Sequence, residues 1–125
     1  MQTKPYMNLT DVVNSNNFTI SFGNFLHLFM ASEDKYSMIE DQPVASNEDI
    51  SKEILCTLAA AAHKLANDYG LLIPDWVHDE KYIMPQPVFA FNTQNKEYQQ
   101  FLLNDTPQEY AKRNLYTGSN VLKVV

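Results

Sequence analysis

The stretch NEDISKEILCTLAAAAHKLANDYG, residues 47–70, decides the fold. Asn47 reads as a helix cap, Glu48 and Asp49 occupy a first turn whose positive dipole end favours acids, and Gly70 supplies the stop. Ile50, Ile54, Leu58, Leu65 and Tyr69 recur at helical spacing as one stripe, and Leu55, Ala59, Ala62 and Ala66 form a second beside it. The block Ala59-Ala60-Ala61-Ala62 has the highest helix propensity available. Two apolar stripes bury a helix on more than half its circumference. Small side chains on one of them let a neighbour approach closely. This helix therefore belongs at the centre of the domain.

Working outward toward the N-terminus, Phe22, Phe25, Leu26 and Phe29 stand at i, i+3, i+4 and i+7, which predicts a helix from Thr19 or Ser21 to Ala31 with one of those hydroxyls as its cap. Ser32-Glu33-Asp34-Lys35 restarts a short helix that runs through Ile39 and is ended by Pro43. Residues 1–18 read as a polar, asparagine-rich arm in which Leu9, Val12 and Val13 hint at one helical turn; residues 19–125 read as a single domain.

Beyond Gly70 the pattern changes. Pro74, Pro85 and Pro87 interrupt a stretch that carries Trp76, Tyr82, Phe89 and Phe91, so residues 71–91 read as ordered but irregular, pinned by Trp76 and the two phenylalanines. A helix over about 94–104 shows Tyr98, Phe101 and Leu102 on one face. Thr106-Pro107-Gln108-Glu109 has the form of a capping box with a proline entry to a last helix. The tail from Asn114 to Val125, with Gly118 in a turn, suits either a short hairpin or an extended segment. The fold class is mostly α: one compact helical domain with a long central helix and an irregular Pro/aromatic segment.

With 125 residues and 45% hydrophobic content, the chain can build a core without staples. Its net charge of −6, with Arg113 as the one arginine among nine cations, weighs against nucleic-acid binding, which rests on neutralised phosphates. Cys56 is the single cysteine, so paired-cysteine metal sites and intrachain disulfides are excluded. No signal peptide opens the sequence and no apolar run spans a bilayer; a cytoplasmic protein without membrane contact is expected.

Catalytic chemistry finds little footing. No phosphate-cradling loop fits three separated glycines, and no serine sits in a nucleophile elbow. Cys56 lies in a helix interior, where a thiol behaves as a small hydrophobe. His78-Asp79-Glu80 places three metal-capable side chains in a row, but adjacent side chains diverge, so no metal and no cofactor is expected. Charge asymmetry stands above background: residues 33–53 hold seven acids and two lysines, net −5, whereas residues 110–125 hold Lys112, Arg113 and Lys123 and no acid. A solvated face explains the acidic run, and so does a docking surface for a basic protein.

An ordered set of short elements then carries a resemblance. It runs through Phe25-Leu26, Glu40-Asp41-Gln42-Pro43, Leu58-Ala59-Ala60, His63, Tyr69-Gly70-Leu71, Pro74-Asp75-Trp76-Val77, Thr106-Pro107 and Arg113-Asn114-Leu115-Tyr116. Over about residues 20–122 the chain resembles a family of uncharacterised small bacterial proteins that occur alone or behind a helix-turn-helix domain, in antitoxin-like or regulatory settings. The resemblance implies a regulatory role and carries over no catalytic residue.

The expectation is a non-enzymatic protein-interaction or regulatory domain, antitoxin-like in context, with a protein partner and no nucleic acid; a homo-oligomer is compatible with it. Trp76, His78, Arg113 and Asn114 are the candidate binding residues. The alternative is a small enzyme or ligand-binding protein with a pocket near Trp76 and His78. A third option is a nucleic-acid accessory that uses Lys112 and Arg113.

Overall fold

The computed structural model describes residues 7–46 and 49–122. In chain order these form α1 (Leu9–Val13), α2 (Phe18–Ala31), α3 (Lys35–Ile39), α4 (Lys52–Asp68), β1 (Val88–Phe89), α5 (Lys96–Asp105), α6 (Gln108–Ala111) and β2 (Leu115–Tyr116). Three 3₁₀ turns, Asp75–His78, Glu80–Tyr82 and Ala90–Asn92, lie between α4 and α5.

Helix α4 is the axis around which the rest packs. From Leu58 to His63 every residue is buried, as are Cys56, Leu65 and Ala66, so the two stripes merge into a belt around the helix. Its cap is Ser51, whose hydroxyl accepts the Glu53 N–H at 3.1 Å. Asn47 and Glu48, expected as cap and first turn, lie outside the described residues, and Asp49 and Ile50 form a turn before the helix. The stop is as expected. Gly70 takes φ = 66°, the left-handed conformation, and the Leu71 and Gly70 N–H groups return to the carbonyls of Ala66 (2.8 Å) and Asn67 (3.4 Å).

Helices α1 and α2 pack against each other, and α1 also lies against α4. Helix α2 carries the aromatic row Phe18, Phe22, Phe25 and Phe29, whose rings stack at 5.5, 6.2 and 6.2 Å. Asn17 caps it, accepting the Ile20 N–H at 3.1 Å, so Thr19 and Ser21 are inside the helix instead of at its start. A carboxamide one turn earlier is the stronger cap, and it lets Phe18 join the row. Helix α1, within the stretch read as an arm, has a full capping box between Asn8 and Asp11 and contributes Leu9, Val12 and Val13 to the core. Asn14 ties it down by donating to the Val44 carbonyl and accepting from the Ser46 N–H.

The other side of α4 is covered by the irregular segment and the C-terminal elements. The 3₁₀ turns Asp75–His78 and Glu80–Tyr82 lie against α4 and contribute Val77 and Tyr82 to the core. Cys56 is fully buried there, with its Sγ 4.0 Å from the Lys81 carbonyl. The tail neither folds back as a hairpin nor stays single: β2 pairs in parallel with β1, Val88 opposite Leu115 and Phe89 opposite Tyr116. Parallel strands need a crossover, and α5 and α6 form it.

The expected capping box at Thr106 does not form. The Thr106 hydroxyl donates to the Leu102 carbonyl at 2.7 Å and accepts the Gly118 N–H at 2.8 Å, while Glu109 turns its carboxylate to Asn67. Gly118 has φ = 83° and lies so close to Asp105 and Leu102 that a Cβ would touch both at 3.4 Å. Tertiary contacts have outbid the local cap. Among the described residues no helix is long and apolar enough to cross a membrane.

Candidate functional site

Arg113 stands two residues past the end of α6 and is 2% exposed. Its guanidinium donates to the Glu109 carbonyl at 2.7 Å and the Val77 carbonyl at 2.6 Å, and one of its nitrogens lies 3.3 Å from His63 Nδ1. These contacts join α6, the Asp75–His78 turn and the buried face of α4 through one side chain. All three partners are neutral. Among the described residues no carboxylate pairs with Arg113, and its buried Nε–H has no acceptor.

His63 is neutral for a stated reason. Burial first, then the charges of Arg113 and Lys112, push its pKa down to about 4. A neutral ring offers Nδ1 as an acceptor to Arg113, which requires the proton on Nε2. Burial also lowers the Arg113 pKa, but a guanidinium stays charged throughout the range in which proteins fold. Burial raises the Glu109 carboxyl, yet the Asn67 amide at 2.7 Å, the backbone N–H and the charge of Lys64 outweigh it and hold the group below its usual value.

Beside this cluster is a cavity of about 60 Å³ walled by Val77, His78, Asp79, Ile83, Lys112 and Arg113. The His78 ring meets the His63 ring edge-on at 5.5 Å. Of the four residues singled out from sequence, His78 and Arg113 therefore meet at one place. Trp76 does not face it: its Nε1–H donates to the Ile39 carbonyl at 3.1 Å and its ring packs edge-on against Tyr82 at 5.4 Å. Asn114, in the left-handed region at φ = 63°, donates from its amide to the Met84 carbonyl and accepts the Val88 N–H on its own carbonyl, so it sets up the β1–β2 pairing.

The residues missed from sequence are His63, Glu109 and Asn67, which complete the Arg113 cluster. A histidine ending an alanine run on a central helix was the available signal for the first. The basic tail also changes character. Lys112 is exposed, Arg113 is buried and Lys123 lies outside the described residues, so the expected patch is not a continuous cationic surface.

Of the two phenylalanines expected to pin the irregular segment, one does so. Phe89 stacks on Tyr116 at 5.4 Å and helps pin the irregular segment, but Phe91 is 92% exposed. Phe91 and Asn92 both take left-handed backbone, φ = 58° and 52°. Two connected grooves, about 180 and 340 Å³, run past this corner and share Glu53, Val88, Phe89 and Asn92 as walls. Phe91 lines the first. Among the described residues no three His, Cys, Asp or Glu side chains are grouped as a metal would need.

Comparison with protein-family models, with curated proteins and with solved structures finds no match to this chain.

Proposed function

We propose that the protein is a non-enzymatic interaction domain that acts by capturing a basic protein partner, in the regulatory, antitoxin-like setting that its resemblance implies. Phe91 carries this reading. A phenylalanine left in water forgoes roughly 1.5–3 kcal/mol of burial, and a left-handed backbone at Phe91 adds roughly 1–2 kcal/mol of strain. A side chain held outward at that cost is the kind of aromatic anchor that dominates protein interfaces. Acidic side chains at and around its groove support a basic partner. Glu53 stands in the wall beside Phe91, and Glu33, Asp34, Glu40, Asp41 and Asp49 are exposed as well. Such a field speeds encounter with a cationic surface, with an on-rate that falls as salt rises.

The test is capture by the full chain and by Phe91→Ala, each checked by denaturant unfolding. Phe91→Ala is expected to unfold with the wild-type midpoint and to lose most of the captured partner. Glu53→Gln combined with Glu40→Gln and Asp41→Asn is expected to slow association at low salt. Equal capture by Phe91→Ala and wild type would overturn the proposal.

A further inference from the structure

We propose that the cavity beside Arg113 binds one compact oxyanion group, a phosphate or a carboxylate, held between the Arg113 guanidinium, the Lys112 ammonium and the His78 ring. The inference is independent of the interaction surface at Phe91. It starts from an imbalance of charge. Arg113 is 2% exposed, yet its direct partners are two carbonyls and an imidazole; among the described residues no carboxylate lies within ion-pair distance, and Glu109 acts on it only from farther away. Buried charges in proteins are as a rule paired with an opposite charge, because dipoles alone repay little of the desolvation cost. One donor of the fork, the Nε–H, is buried and unused. A guanidinium N–H is a donor that proteins use for planar and tetrahedral oxyanions.

The surroundings fit an anion and limit its size. Val77 and Arg113 are the buried walls, while His78, Asp79, Ile83 and Lys112 are exposed and form the rim. Lys112 adds a second positive charge. Two acids stand nearby, Asp79 on the rim and Glu109 behind Arg113's backbone contact, and Lys112 on the rim offsets the first. Asp79 accepts the Lys81 N–H at 3.0 Å on its carboxylate, capping the next turn, and the Glu109 carboxylate accepts from the Asn67 amide at 2.7 Å. The volume of about 60 Å³ admits a single phosphate or carboxylate group and excludes a nucleoside or a peptide side chain beyond it. Any larger ligand would insert only its anionic end.

The experiment follows the Arg113 Nε–H resonance of the full-length protein by ¹⁵N NMR during titration with inorganic phosphate, with acetate, and with sodium chloride at matched ionic strength. A saturable shift with phosphate alone assigns the site to phosphate groups, one with acetate alone to carboxylates, and one with both to either oxyanion; chloride is expected to move the signal little. Lys112 is exposed, so Lys112→Glu keeps the fold and is expected to weaken the response by about tenfold, the loss of one charge-assisted contact. His78→Ala is expected to weaken it less. A resonance unmoved by both phosphate and acetate would overturn the proposal, and so would an unchanged response in Lys112→Glu.

Discussion

At the scale of single residues, the Arg113–His63 contact makes two measurable statements. Removing the guanidinium strands the Val77 and Glu109 carbonyls and His63 Nδ1 in a buried setting. Arg113→Ala is expected to cost about 3–5 kcal/mol in a urea melt, the sum of hydrogen bonds made by one charged group. A loss below about 1 kcal/mol would show the side chain to be a surface group. The second statement concerns pH. Unfolded His63 titrates at 6.5 and folded His63 at about 4, so between these values the unfolded chain holds a proton that the native one refuses. Stability from this group is complete above pH 6.5 and is lost as pH falls toward 4. Glu109, held below its ordinary 4.5, loses its contribution lower still. Urea midpoints at pH 7 and 4.5 should differ in wild type and in His78→Ala alike, and the difference should shrink in His63→Phe. Arg113 was legible in the sequence as an oddity of composition. Its burial was not, because the groups that receive it come from positions 50 and 36 residues away in the chain.

The elements show which local signals survive tertiary packing. Helix α4 was legible because propensity, apolar period and a glycine stop all agree, and α2 because its aromatic period is unbroken. Where a local motif competed with a distant partner, the distant partner won: Thr106 closes the end of α5 and receives the Gly118 N–H, and its side chain does not cap α6. The irregular segment was legible as irregular from its prolines, but its pairing with β2 has no local signature in two residues. Phe91 was read as an anchor because aromatics usually are, and nothing in its neighbours announces a left-handed backbone. Trp76 acts between elements in the same way. It ties the Asp75–His78 turn to the end of α3 through the Ile39 carbonyl, so it is a clamp between elements. Trp76→Ala is expected to cost about 2–4 kcal/mol, since the ring is half-buried and one hydrogen bond goes with it. Trp76→Phe should recover the packing share alone. Melts showing less than 1 kcal/mol lost in Trp76→Ala would remove the clamp.

For the whole molecule, net charge and the fate of the cations decide what it repels. With −6 overall and the single arginine buried beside a cavity that takes one oxyanion, the described residues offer no row of cations along which a polymer backbone could lie. No saturable binding to duplex DNA or to RNA is expected at about 0.15 M salt, and micromolar binding in an anisotropy assay there would contradict this. A single oxyanion in the Arg113 cavity is compatible with that outcome, because one phosphate contact gives too little affinity to hold a polymer. The sole cysteine has a further use. Cys56 is wrapped by the central belt, and burial raises its thiol pKa, so in the closed molecule it is sealed from reagents and poorly ionised. Alkylation of the native protein should therefore proceed only through opening of the fold. With a fast thiol reagent in the regime of rapid reclosing, the labelling rate divided by that of an unfolded peptide thiol measures the open fraction directly. The protein thus carries its own clock for conformational opening, readable by mass, one tag per molecule, under the conditions in which a partner or an anion is added.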